Sequence, residues 1–245
     1  MSTERSGAGD PARTLRLLWR DPVAAPKRGP RQGLTIDAVV DAATALADAE
    51  GLEAVSMRRV AQALGVAPMT LYTYVPGKAE LLDLMLDAAY ARMPREDTSG
   101  RPWRERLTVV AEENLALYRT HPWAAGIATN RPVLGPGQLA KYEHELSALD
   151  GLDLDDVTLD DALAFLLAFV RSCAQAAAAQ QRDDQSWWDA SEPLLARVFD
   201  EKAYPRAVRV GSAAGQAHGS AYDPEHAFRF GLARVLDGLA ALVAG

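Results

Sequence analysis

The sequence has one cysteine, Cys173, which excludes a disulfide within the chain and a thiolate zinc cluster. It has no uninterrupted apolar run near its start, so no secretory signal or N-terminal membrane span is expected, and a soluble cytoplasmic protein is. Although 49% of residues are hydrophobic, much of that is alanine, and valine and isoleucine do not form the alternating runs that strands require. The expected fold class is therefore all-α. No internal repeat is visible. Nor do His121, His144, His218, His226 and Cys173 fall into a nucleophile, metal or phosphate-loop arrangement, so no enzyme, catalytic residue, metal or cofactor is expected.

Net positive charge is missing too. The formal net charge of −7 is awkward for a chain that grips phosphates, because nucleic-acid affinity comes largely from Lys and Arg displacing counterions. Its distribution matters more than its sum. Within residues 1–33, Arg5, Arg13, Arg16, Arg20, Lys27, Arg28 and Arg31 are opposed only by Glu4, Asp10 and Asp21. This stretch, rich in Gly, Pro, Ser and Arg, reads as a flexible basic arm, with Leu15, Leu17, Leu18 and Trp19 as the one cluster able to dock on a helix.

At 245 residues the chain can hold a small module and a larger domain with its own core. Thr35 caps a helix whose apolar positions Ile36, Val39, Val40, Ala43, Leu46 and Ala47 recur at helical spacing until Gly51. Ser56 caps a second, Gly65 supplies a tight turn, and Pro68 enters the first turn of a third. Helix, turn and helix within 56–78 make a DNA-reading head inside a domain at 34–78, followed by a linking helix over 78–93 and a body at 79–245. Further helices are expected from Trp103 to Thr120, from Leu159 to Ala179 with a break at Asp183-Asp184, from a Ser186 capping box to Asp200, and from Pro224 onward, with 205–222 as a flexible loop.

In such a head the second helix enters the major groove and flanking groups grip phosphates. Pro68, Met69 and Thr70 lead it. Pro68 and Met69 offer only apolar contact, so Arg58 is the candidate for a bidentate guanine contact, with a phosphate contact as the alternative. Tyr72, Thr73, Tyr74 and Lys78 are candidate backbone contacts, although Tyr72 could instead pack beneath the motif. Lys27, Arg28 and Arg31 are placed to reach a minor groove, or to form a solvated basic tail.

The run LTIDAVVDAATALADAEGLEAVSMRRVAQALGVAPMTLYTYVPGKAELLDLML, Leu34 to Leu86, resembles the N-terminal domain of the tetracycline-repressor (TetR) family of bacterial regulators. HPWAAGIATNRPVLGP and EHAFRFGLARVLDGLAAL look like parts of the C-terminal domain of the tetracycline-repressor branch. The resemblance supports the base-facing roles of Arg58, Pro68, Met69 and Thr70. It implies a homodimer on a palindromic double-stranded operator, pairing through the helices at 159–179 and 224–243, and repression controlled by a small-molecule effector. An activator or a ligand-independent DNA-binding protein is the alternative.

Polar residues on apolar helix faces suggest the effector pocket, because buried polar groups are costly unless partnered. Asn114 and His121 follow Leu107 at intervals of seven, and Arg171 and Gln175 are four apart on the most apolar helix. With Tyr118, Trp123, Asn130 and Arg131 they form the candidate pocket, each with a structural hydrogen bond as its alternative role. Where the resemblance would place the His and Asn that grip tetracycline and a magnesium-binding His, this chain has Pro94, Val110 and Ile127. Tetracycline–magnesium is therefore not the expected effector, and Phe165, Phe169, Trp187 and Trp188 favour an apolar or aromatic one.

Overall fold

The structure, a computed structural model, describes residues 5–6, 9–21, 34–129, 132–219 and 222–243. Where a capping side chain precedes an apolar repeat, a helix begins. Asp10 caps α1 (Pro11–Leu18), Thr35 caps α2 (Ile36–Glu50) and Ser56 caps α3 (Met57–Ala63), each side chain accepting from backbone N–H groups of the first turn. Gly65, at φ 66°, makes the turn into α4 (Pro68–Tyr72). There follow α5 (Lys78–Arg92), α6 (Trp103–Thr120), α7 (Pro122–Gly126), α8 (Pro136–Ser147), α9 (Asp156–Val198), α10 (Pro205–His218) and α11 (Pro224–Val243). The fold is all-α, as expected. Among the described residues the one sheet is a parallel pair of two-residue strands, β1 (Arg5–Ser6) and β2 (Ala128–Thr129).

Two apolar cores form. The first joins Val39, Val40 and Ala43 of α2, Val60 and Ala61 of α3, Leu71 of α4, and Leu81, Leu82, Met85 and Leu86 of α5. The second joins Leu107, Val110 and Ala111 of α6, Leu163, Leu166 and Val170 of α9, and Phe228, Leu232 and Leu239 of α11. Each fully buried leucine contributes about 1.5–3 kcal/mol relative to exposure. α5 is buried on most sides, as a helix is when others enclose it. It packs on α1 and α2 and most extensively on α8, so it serves as a strut between head and body. The stretch Asp156–Ala179 of α9 is apolar and long enough to cross a membrane by composition. In this fold that stretch gives Leu163, Leu166 and Val170 to the second core.

Two expectations fail and one is met only in its exception. Residues 11–18, placed in the flexible arm, form a helix that docks through the apolar cluster read as able to do so, with Leu17 and Leu18 buried in the first core. α9 continues through Asp183-Asp184 to Val198, which removes the break and the Ser186 cap. Mid-helix aspartate costs only tenths of a kcal/mol, and the flanking Ala, Gln and Arg are good helix formers. Residues 205–218, expected as loop, form α10, which opens with Pro205 in its first turn and closes at Gly219, φ 65°. Its alanines and arginines outweigh Gly211 and Gly215, and it buries no residue.

Candidate nucleic-acid interface and interior polar cluster

The head exposes one surface. Leu71 and Val75 are fully buried and fix α4 against α3, which turns Pro68 and Met69 outward, Met69 being 75% exposed. Arg58, at the start of α3, is exposed and makes no hydrogen bond or ion pair with a described residue, whereas its neighbour Arg59 is tied to Glu50 at 2.6 Å. Thr70 is half-buried, and the exposed Thr73 donates its hydroxyl to the Thr70 carbonyl at 2.6 Å. Tyr72, 42% exposed, stands on the surface and not beneath the motif. Tyr74 is the tyrosine that packs partly against the core, and Lys78 is half-buried at the start of α5. Lys27, Arg28 and Arg31 lie outside the described residues, as do Asn130 and Arg131.

The remaining pocket candidates divide into two groups. Asn114 is fully buried; its Nδ2 donates to the Val110 carbonyl (2.9 Å) and to Glu145 Oε1 (2.5 Å), while its Oδ1 has no partner among the described residues. Glu145, 1% exposed, also takes a hydrogen bond from Lys141 Nζ at 2.6 Å, and Lys141 sits 5.4 Å from the centre of the Tyr90 ring. Burial pushes the Lys141 ammonium below the usual lysine range, and Glu145 partly opposes this. Burial likewise raises the phenols of Tyr90 and Tyr118. Neither phenol makes a hydrogen bond with a described residue. This polar cluster draws on α5, α6 and α8.

The other group is occupied structurally. His121 Nδ1 lies 2.8 Å from Asp48 Oδ1, and Trp123 Nε1 donates to the same oxygen at 2.6 Å, so both bind α7 to α2 of the head. Arg171 Nε and Gln175 Nε2 donate to the Ala125 carbonyl at 2.9 and 2.6 Å, and Arg171 Nη2 reaches the Ile127 carbonyl. These carbonyls end α7, where donors and positive charge are favoured. Ile127 itself is fully buried. Half-buried Cys173 packs against the second core, and burial raises its thiol. Among the described residues no group of His, Cys, Asp or Glu is arranged to hold a metal.

Sequence reasoning missed Lys141, Glu145, Tyr90 and Asp87. A Lys and Glu four apart ordinarily read as a solvated helix pair. Asp87 of α5 accepts from the N–H groups of Gly137 and Gln138 (2.8 Å to the latter) at the start of α8, with burial raising its carboxyl and these bonds opposing. A carboxylate reaching another helix's first turn leaves no mark in periodicity.

A helix-turn-helix with an exposed reading face, joined by a buried strut to a helical body, defines the class of DNA-binding transcription regulators. Residues 39–85 match the family described as bacterial regulatory proteins, tetR family, and residues 94–243 match the tetracyclin repressor-like C-terminal domain. The chain belongs to the TetR family of transcription regulators. It is 44% identical over 253 positions to the HTH-type transcriptional repressor DrrR1 of Streptomyces coeruleorubidus, covering 99% of this chain and 90% of that protein. It is 26% identical over 221 positions to the class E tetracycline repressor protein of Escherichia coli, covering 85% and 92%. Among solved structures, ActR of Streptomyces coelicolor in complex with actinorhodin matches with a TM-score of 0.73 at 27% identity, covering 87% of this chain and 98% of ActR.

Proposed function

We propose that the chain is a cytoplasmic homodimeric repressor, held on a palindromic operator and released when a small molecule enters its body. The observation that carries this reading is the polar interior left partly unsatisfied against the strut. Asn114 Oδ1 is buried without a partner among the described residues, and the Tyr90 and Tyr118 phenols make no hydrogen bond with a described residue. Such groups cost about 1–3 kcal/mol each when desolvated, a cost that a ligand with hydroxyl or carbonyl groups would relieve. Tyr90 belongs to α5, so a ligand that bonds these groups would bear on the helix that leads to the head. That ActR is known in complex with actinorhodin supports a small molecule as the effector. Asn114 and Tyr118 would touch it; His121, Trp123, Arg171 and Gln175 would set the frame around it.

Dimerisation is supported by the outer faces of α9 and α11, which leave Phe165 and Phe230 57% and 58% exposed in the single chain. A second copy related by two-fold symmetry would cover them and set the heads about one DNA turn apart, roughly 34–36 Å. Pro68, Met69 and Thr70 would then face bases, Arg58 a guanine, and Tyr72, Thr73, Tyr74 and Lys78 the phosphate backbone.

The operator is obtained by selecting bound genomic fragments, and effectors by thermal-shift screening of aromatic compounds. Titration of one against the other should show each weakening the other's affinity by the same factor; independent binding would overturn the reading. With that operator, Arg58→Ala is expected to cost about 1–3 kcal/mol per half-site and to relax choice at one base pair, read by binding to a single-substitution operator library. An equal loss on every sequence would reassign Arg58 to phosphate.

A further inference from the structure

α1 lies wholly outside both family-matched stretches, and it is built into the head. Asp10 Oδ1 accepts from the Ala12 and Arg13 N–H groups, Leu17 and Leu18 enter the first core, and Arg20 pairs with Asp37 of α2. Its exposed side carries Arg13 and Arg16, three apart and so on one face. Neither makes a hydrogen bond or ion pair through its side chain with a described residue. Both line a cleft of about 400 Å³ whose opposite wall is Thr73, Tyr74 and Pro76, the residues directly after the recognition helix α4. Among the described residues of that lining the one acid, Asp10, is committed to the first turn of α1.

We infer that Arg13 and Arg16 form a phosphate clamp on duplex DNA beside the recognition helix, gripping the strand that Thr73 and Tyr74 face. The inference rests on the DNA-binding reading above and extends it to a helix that the family match does not reach. Guanidinium forks suit phosphate geometry, and a docked helix presents them without the ordering cost of a loose arm. In a chain of net charge −7, affinity for a polyanion has to come from such local cations.

The test uses the full chain and a fluorescein-labelled duplex of random sequence, several helical turns long, with binding read by anisotropy across a salt series. Arg13→Gln with Arg16→Gln should flatten the slope of log affinity against log salt by about 2–4, since a dimer sheds about four contacts worth roughly 0.9 each. Binding at low salt should weaken about tenfold or more. Arg13→Lys with Arg16→Lys should restore most of the slope, which a structural role for these side chains would not predict. On the selected operator the glutamine variant should lose affinity without changing base preference, because phosphate contacts carry no sequence information. An unchanged slope, or a loss that lysine does not restore, overturns the clamp. A wild-type protein with no preference for any genomic fragment would count against the regulator reading alone, because the clamp is read from the random duplex.

Discussion

Glu145→Gln is expected to lower the unfolding free energy by about 3–5 kcal/mol, because it strands the Lys141 ammonium in the interior without its hydrogen-bonded counter-charge. For a chain of this size that corresponds to a fall in melting temperature on the order of 10 °C. Lys141 is already held below the usual lysine range by burial, with Glu145 opposing the shift, so removing Glu145 lets its pKa fall further. The sign of the pH response follows. Between the folded pKa and the ordinary value of 10.5, the unfolded chain binds a proton that the native state does not, so stability rises with pH across that window. Urea midpoints measured from neutral pH towards 10 should therefore climb more steeply in the variant than in the parent. Replacing the pair together, Lys141→Met with Glu145→Leu, should recover most of the loss, since well-packed apolar side chains often match a buried ion pair. Equal midpoints for Glu145→Gln and the parent would mean that the pair is solvated and the interior is not as described.

Gly137→Val is the second large effect. A Cβ at residue 137 would lie 2.0 Å from the Asp87 carbonyl oxygen and 2.9 Å from the Ala91 nitrogen, both backbone atoms of α5 that no rotamer change can move. Helix α8 approaches α5 closely enough there that only hydrogen fits. Forcing them apart should cost about 3 kcal/mol or more. It should also break the bonds by which Asp87 holds the first N–H groups of α8. Because α5 leads to the head, operator affinity should fall together with the melting temperature. Gly215→Ala supplies the contrast. It meets nothing within 4 Å inside α10 and should be stabilising by about 0.5–1 kcal/mol. Comparable melting temperatures for the two variants would remove the close approach from the account.

The head was legible because its signals are local. Thr35, Ser56, Gly51, Gly65 and Pro68 each act on a backbone turn within a few residues of themselves, and each does so where expected. The body was less legible because its signals are not. Asp183-Asp184 read as a break, and Gly211 and Gly215 as loop, on composition that helix propensity outweighs. His121 falls on an apolar face by spacing and Trp123 is grouped with it, yet both are claimed by Asp48, a residue more than seventy positions earlier. Lys141 and Glu145 look solvated in sequence and are buried only because α8 lies so close to α5. The burial of Leu17 and Leu18 was the one feature of the N-terminal stretch that its apolar cluster foretold.

The N-terminal segment is fastened to both parts of the molecule. Leu17, Leu18 and Arg20 attach it to the head, while the Trp19 indole donates to the Leu134 carbonyl at 3.1 Å and β1 pairs with β2 beyond α7. Head and body are thus joined by the covalent rod α5, by the hold of His121 and Trp123 on Asp48, and by this N-terminal tie. A rigid piece held at one point can swivel in any direction, and each further point of attachment removes directions of travel. A change in the angle of the head against the body therefore has to strain or break the ties made outside α5.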